Sequence, residues 1–181
     1  MGHVEVDVHE GGERTATVLP GRGYTCDGPL LRDVRRLLRE RGWTVRTVRW
    51  TTPPTPRELL ALAPDLLDGM RARPHLVVAK SLSTRLLPAA VERDLPGIWL
   101  TPLLREADVV SAATRSSAPA LLVGGSADPY WDGGAARRSG RRVLEVAGAD
   151  HSVEVPGDAA ASARALQAVV AAAAGFLDDL S

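Results

Sequence analysis

The sequence predicts a doubly wound α/β domain, a mostly parallel sheet with helices on both faces. Two observations carry this prediction. Strand-like and helix-like segments alternate along almost all of the 181 residues, and several of the strand-like runs are apolar throughout, as expected of strands covered on both sides. One domain spanning residues 1–181 is expected, because a chain of this length would bury roughly 70% of its unfolded surface and needs no disulfide or metal to hold it.

The elements justify themselves in order. Val4, Val6 and Val8 alternate with polar residues, which reads as a half-exposed edge strand; Gly11 and Gly12 provide a turn, and Thr15 to Pro20 forms a second strand, so an antiparallel hairpin is expected at one edge. The loop Gly21-Arg22-Gly23-Tyr24 leads into a helix that ends at Gly42. Leu30, Leu31, Val34, Leu37 and Leu38 make its apolar face, while Arg32, Arg35, Arg36 and Arg39 share the other. Those arginines read as a solvated face, with an RNA-binding stripe as the lesser alternative.

Thr44 to Trp50 is β-branched and aromatic, hence a strand. Thr55 can cap the next helix with Pro56 in its first turn, and that helix buries Leu59, Leu60, Ala63, Leu66, Leu67 and Met70, kinked or restarted by Pro64. His75 to Lys80 is a short apolar strand, residues 82–93 a helix, and Gly97 to Thr101 a strand. A helix over about 103–114 follows, then a buried strand from Ala120 to Gly124 and a last strand from Arg142 to Val146. The closing alanine-rich helix keeps Leu166, Val169, Val170, Ala173, Leu177 and Leu180 on one apolar face. Its most apolar stretch, Ala165 to Leu177, is shorter than the ~20 residues that span a bilayer.

Composition excludes several function classes. Hydrophobic residues make up 45% and charged residues 24%, which is globular rather than disordered. The 22 basic and 22 acidic residues cancel, so no overall field favours nucleic acid or an acidic membrane as partner. Cys26 stands alone and cannot form an internal disulfide, and MGHVEVDVHEGG has no signal-peptide pattern, so a cytoplasmic protein is expected. His3, His9 and His75 lack metal-ligand spacing, and neither metal nor cofactor is expected.

In a doubly wound sheet, ligands bind at the carboxyl ends of the strands. Ser81, Asp128 and His151 each stand just beyond a strand, in the chain order serine, acid, histidine. That is one of the known orders of a catalytic triad, in which imidazole takes the serine proton and the carboxylate orients the imidazole. Each member has a bland rival reading. Ser81 alone would be a helix cap, Asp128-Pro129 a turn, and His151 a surface histidine; their coincidence in order and place favours the triad. Asp150 and Asp132 compete for the acid, and Ser83 for the nucleophile. Ala79 and Ser83 occupy the places where the serine elbow usually has glycine. The backbone N–H of Leu82 is expected to donate to the oxyanion, with a second donor from Arg22 or Gly23, Arg22 being preferred; Gly23 and Tyr24 would line the substrate site. A phosphate cradle in the glycine-rich loop is a weak alternative, since Gly21-Arg22-Gly23 lacks a third glycine and no Gly-Lys-Ser/Thr follows. Cys26 reads as a small buried hydrophobe, and Lys80 has no task assigned by the sequence.

Four segments, Leu19 to Gly23, Lys80 to Arg85, Gly124 to Pro129 and Gly148 to Ser152, resemble those of small α/β-hydrolases related to dienelactone hydrolase. The resemblance is greatest to the branch holding the testis-expressed α/β-hydrolase-like proteins and a regulatory subunit of a chromatin acetylation complex. It implies the triad Ser81, Asp128 and His151, and matches Arg85 to the elbow arginine. Two departures stand out: Leu82-Ser83 replaces Met-Gly, which tightens the elbow, and Pro20 replaces a histidine that braces the oxyanion loop. Only 47 positions separate Ser81 from Asp128, and 23 separate Asp128 from His151, so no stretch remains for a lid between these strands. The expected function is hydrolysis of a small acyl ester or thioester at an open site. The alternative is a non-catalytic interaction module whose surface a second copy or another protein completes.

Overall fold

The computed structural model describes residues 4–68 and 75–180. Met70 and His3 lie outside that range. Seven strands form one sheet in the order β1-β3-β2-β4-β5-β6-β7. They are β1 (Val4–His9), β2 (Thr15–Leu19), β3 (Thr44–Trp50), β4 (His75–Lys80), β5 (Gly97–Leu100), β6 (Ala120–Gly125) and β7 (Arg142–Val146). The helices are α1 (Pro29–Glu40), α2 (Pro56–Ala61), α3 (Ala63–Leu67), α4 (Leu87–Glu92), α5 (Ala107–Arg115), α6 (Gly133–Arg138) and α7 (Ala159–Asp179). All neighbouring strands are parallel except β1, which runs antiparallel to β3 with Val6 opposite Val48.

The antiparallel edge is therefore present, but the hairpin between the first two strands is not. The reason lies in Gly11 and Gly12. Gly12 N–H donates to the Gly42 carbonyl, 2.7 Å away, and a Cβ on Gly11 would lie 2.5 Å from the Trp43 carbonyl oxygen. The two glycines let the chain pass close to the start of β3, and β2 then enters on the other side of that strand. Strand β1 is also more exposed than its alternation suggests, with Val6 and Val8 on the surface. Its charged residues blunt an edge that would otherwise pair with another sheet.

Period-two alternation divides the core. Ala16, Val18, Leu76, Val78 and Ile98 face α1 and α7, whereas Leu19, Val77, Ala79, Trp99 and Leu122 face α2 to α6. Helix α1 buries Leu30, Leu31, Val34 and Leu38, each worth about 1.5–3 kcal/mol. Three of its arginines pair with acids, Arg32 with Asp33, Arg35 with Asp27 and Arg36 with Glu40. Thr55 and Glu58 form a reciprocal capping box on α2, and Pro64 ends that helix and opens α3.

Further segments differ from the sequence reading, which passes over α6 between β6 and β7. The predicted helix over 82–93 is a 3-10 helix, Ser81–Leu86, followed by α4, because Pro88 cannot donate into a continuous helix. Helix α5 begins at Ala107 rather than near 103. Helix α7 has 21 residues and a mean hydropathy of 1.4 over its most apolar eighteen, long and apolar enough to cross a membrane by those measures alone. Here it buries Ala165, Val169, Ala173, Phe176 and Leu177 against α1 and the sheet.

The order of strands decides where a site can form. From β2 the chain moves outward to β3, then crosses back to place β4 on the other side of β2. The loops leaving β2 and β4 therefore diverge and leave a crevice between them at their carboxyl ends.

Candidate active site

Ser81 is the first residue past β4 and has φ +50°, in the left-handed region that a serine adopts only under constraint. Its hydroxyl makes no cap. It donates instead to Nε2 of His151 at 2.8 Å, with the imidazole proton on Nδ1. That Nδ1–H lies 2.7 Å from Oδ2 of Asp128, whose side chain is wholly buried. The other carboxylate oxygen, Oδ1, accepts from the Tyr130 N–H at 2.8 Å. Both oxygens are thus held, which fixes the carboxylate plane and through it the ring.

Glycines bring the acid and histidine loops together. A Cβ on Gly125 would fall 2.1 Å from the Ala149 carbonyl oxygen, and one on Gly124 would enter the Trp131 ring. With both absent, Ala127 N–H reaches the Ala149 carbonyl at 2.9 Å and Gly148 N–H reaches the Ser126 hydroxyl at 2.8 Å.

The rival residues are occupied elsewhere. Asp132 caps α6 through Ala135 N–H, and Asp150 accepts from the N–H groups of Ser152 and Glu154. Ser83 is fully buried and donates to the Pro20 carbonyl, which also accepts from the Trp50 indole at 3.3 Å. Two departures from the expected motifs thus meet in one contact: the serine at the elbow's glycine place holds the loop whose bracing histidine is missing. Cys26 is buried beside the Val48 carbonyl, and burial pushes its thiol up to about 12, which leaves no thiolate nucleophile near neutrality. His75 sits at the opposite end of β4 from Ser81, hydrogen-bonded to Thr17.

A cleft of about 400 Å³ opens over the triad. Gly21, Arg22, Gly23 and Tyr24 line one side; Arg85, Leu103 and Glu106 line the other, with Tyr130 near His151. The Arg85 guanidinium is paired with both oxygens of Glu106. Tyr130 packs on the His151 ring, centroids 5.0 Å apart and planes tilted by 60°. Leu82 is the second residue of the 3-10 helix, in the first turn, where the N–H groups have no partner within the helix.

Lys80, Thr101, Tyr130 and Glu106 were given no role by the sequence. Thr101 directly follows β5, so the same inspection of strand ends that singles out Ser81 also reaches it. Tyr130 carries no sequence signal beyond its place in the turn after Asp128.

No protein-family model matches the chain, and no curated protein sequence does either. Solved structures match it over almost its full length. A lid-less α/β serine hydrolase from Xanthomonas campestris shares 18% identity over 98% of this chain and 89% of its own, with TM-score 0.69. Est1E from Butyrivibrio proteoclasticus shares 14% over 97% and 93%, with TM-score 0.75, and an α/β serine hydrolase homologue from Coxiella burnetii shares 14% over 96% and 91%, with TM-score 0.70. At such identities the likeness is one of fold. This chain has the α/β-hydrolase fold.

Proposed function

We propose that this protein is a cytoplasmic serine hydrolase that cleaves a small carboxylic ester or thioester, near the dienelactone-hydrolase-related branch that its four motifs resemble. The observation that carries the reading is the unbroken line of hydrogen bonds from Ser81 Oγ through His151 to Asp128, at 2.8 and 2.7 Å. Ser81 Oγ attacks the carbonyl carbon while Nε2 of His151 takes the hydroxyl proton; Asp128 stabilises the imidazolium that forms. The N–H groups of Leu82 and Arg22 receive the developing oxyanion, each donor worth about 2.7–4 kcal/mol in the transition state. The imidazolium then protonates the leaving alcohol or thiol, and water, deprotonated by the same nitrogen, releases the acid from the acyl-enzyme. The lid-less, open cleft supports a small substrate.

The test is covalent labelling with a fluorophosphonate probe. The folded wild type should be labelled, Ser81→Ala should not, and Ser83→Ala should retain labelling. A folded wild type that resists the probe would remove the enzyme reading and leave the non-catalytic interaction module.

A further inference from the structure

Lys80 is the only lysine of the chain, and its residue is 1% exposed. An ammonium ion is among the groups least often buried, because leaving water is costly unless partners replace the solvent. Period-two alternation with Leu76 and Val78 places its side chain on the α1 and α7 side of the sheet, and the residue lies at the floor of the cleft beside Ser81 and Tyr24. There Nζ donates to the Thr101 hydroxyl at 3.0 Å and to the His151 backbone carbonyl at 2.8 Å, and lies 4.5 Å from the centre of the Tyr24 ring. These partners come from three different loops, after β5, after β7 and after β2.

Each of those loops is itself constrained. Thr101 has φ +44° and Val153, two residues past His151, has φ +60°; β-branched residues at positive φ persist only where the surroundings hold them there. With Ser81 they make three of the four such non-glycine residues among the described ones. Tyr24 is pinned from its far side, its hydroxyl accepting from the Leu30 N–H at 2.9 Å, in a space that exists because Gly28 has no side chain.

We infer that Lys80 is a positioning residue, an ammonium tie that holds the histidine loop and the oxyanion loop in register around Ser81. The inference goes beyond the hydrolase reading and rests on it only for the activity arm of its test. The titratable groups facing Lys80 are Asp128 after β6, Asp150 and His151 after β7, and Tyr24 after β2. Burial lowers the lysine to about 8, against the pull of Asp128 and then Asp150, so the charge that strengthens the tie is lost within reach of experiment.

The experiment compares the wild type with Lys80→Met and with Thr101→Val, which deletes one acceptor at constant shape. Circular dichroism and thermal melting first establish that each is folded. Fluorophosphonate labelling rates, and kcat and KM for p-nitrophenyl acetate, are then measured from about pH 6 to 10, a span that brackets the depressed lysine. Lys80→Met should lose about 10²-fold in labelling rate and kcat, with KM within about threefold. The wild-type rate should fall above about pH 8, and that fall should be absent in Lys80→Met. Thr101→Val should show an intermediate loss.

A second readout needs no activity. The downfield NMR resonance of the proton between His151 Nδ1 and Asp128 should be present in the wild type and in Ser81→Ala, and broadened or lost in Lys80→Met. A folded Lys80→Met with wild-type rates, pH profile and resonance would overturn the assignment. If the wild type is not labelled at all, the hydrolase reading fails while the resonance still judges Lys80; if Lys80→Met does not fold, Thr101→Val decides on the same readouts.

Discussion

Ser83 donates its hydroxyl hydrogen to the carbonyl of Pro20, across a sequence separation of 63 residues, and so fastens the elbow that carries Ser81 to the loop that carries Arg22. Among the described residues, removing that hydroxyl leaves the carbonyl with the Trp50 indole at 3.3 Å. Ser83→Ala should therefore cost about 1–2 kcal/mol, read as a drop in melting temperature of about 2–4 °C per kcal/mol. Activity should fall severalfold through a looser oxyanion loop, yet Ser81 should still be labelled. Complete loss of labelling in a folded Ser83→Ala protein would show that the hydroxyl does more than brace.

Asp128 can be tested without emptying its place. In Asp128→Asn the carbonyl oxygen can still accept from Tyr130 N–H, where Oδ1 now does at 2.8 Å. The amide cannot stabilise an imidazolium, and it favours the wrong histidine tautomer. Turnover should fall by roughly 10⁴-fold, as when other triad carboxylates are replaced by the amide. Turnover within tenfold of wild type would remove Asp128 from the triad.

Gly125 is where the acid loop and the histidine loop touch. Its substitution by alanine places a carbon 2.1 Å from the Ala149 carbonyl oxygen, closer than any real contact. Gly125→Ala should cost at least about 1–3 kcal/mol of stability through overpacking and displace His151 from Ser81. Gly23→Ala is the control, because a Cβ there meets nothing within 4 Å. Equal melting temperatures for the two variants would refute the close approach.

Lys80 also makes a pH prediction for stability that runs opposite to the one for activity. Its folded value, about 8, lies below its ordinary 10.5 because burial penalises the charge. Between those values the unfolded chain binds more protons than the folded one, so this group's contribution is present in full above 10.5 and is lost as pH falls through about 8. The difference corresponds to about 3 kcal/mol. Cys26, raised to about 12 from 9.0, opposes this above pH 9, where the unfolded thiol ionises first. Urea midpoints should thus rise from pH 8 to 9 in the wild type and stay level in Lys80→Met. A wild-type midpoint that falls over that interval would contradict the buried ammonium.

What the sequence determined by itself was local or one-dimensional. Hydrophobic period and turn residues defined β3, β4 and β7 to the residue, the helix cap at Thr55, and the restart at Pro64. The rule that chemistry sits past strand ends then singled out Ser81, Asp128 and His151, because in a parallel sheet those ends lie together whatever the loops do. Strand order and loop contacts required the tertiary structure. Whether β1 pairs with β2 or with β3 depends on two glycines fitting against the backbone of residues 42–44, a contact no local pattern encodes. Lys80 is the clearest case. In the sequence it is one charged residue ending an apolar run. Only the meeting of the loops after β2, β5 and β7 supplies the carbonyl, the hydroxyl and the ring that replace its water, and long-range contacts of that kind are set by packing rather than by any neighbour in the chain.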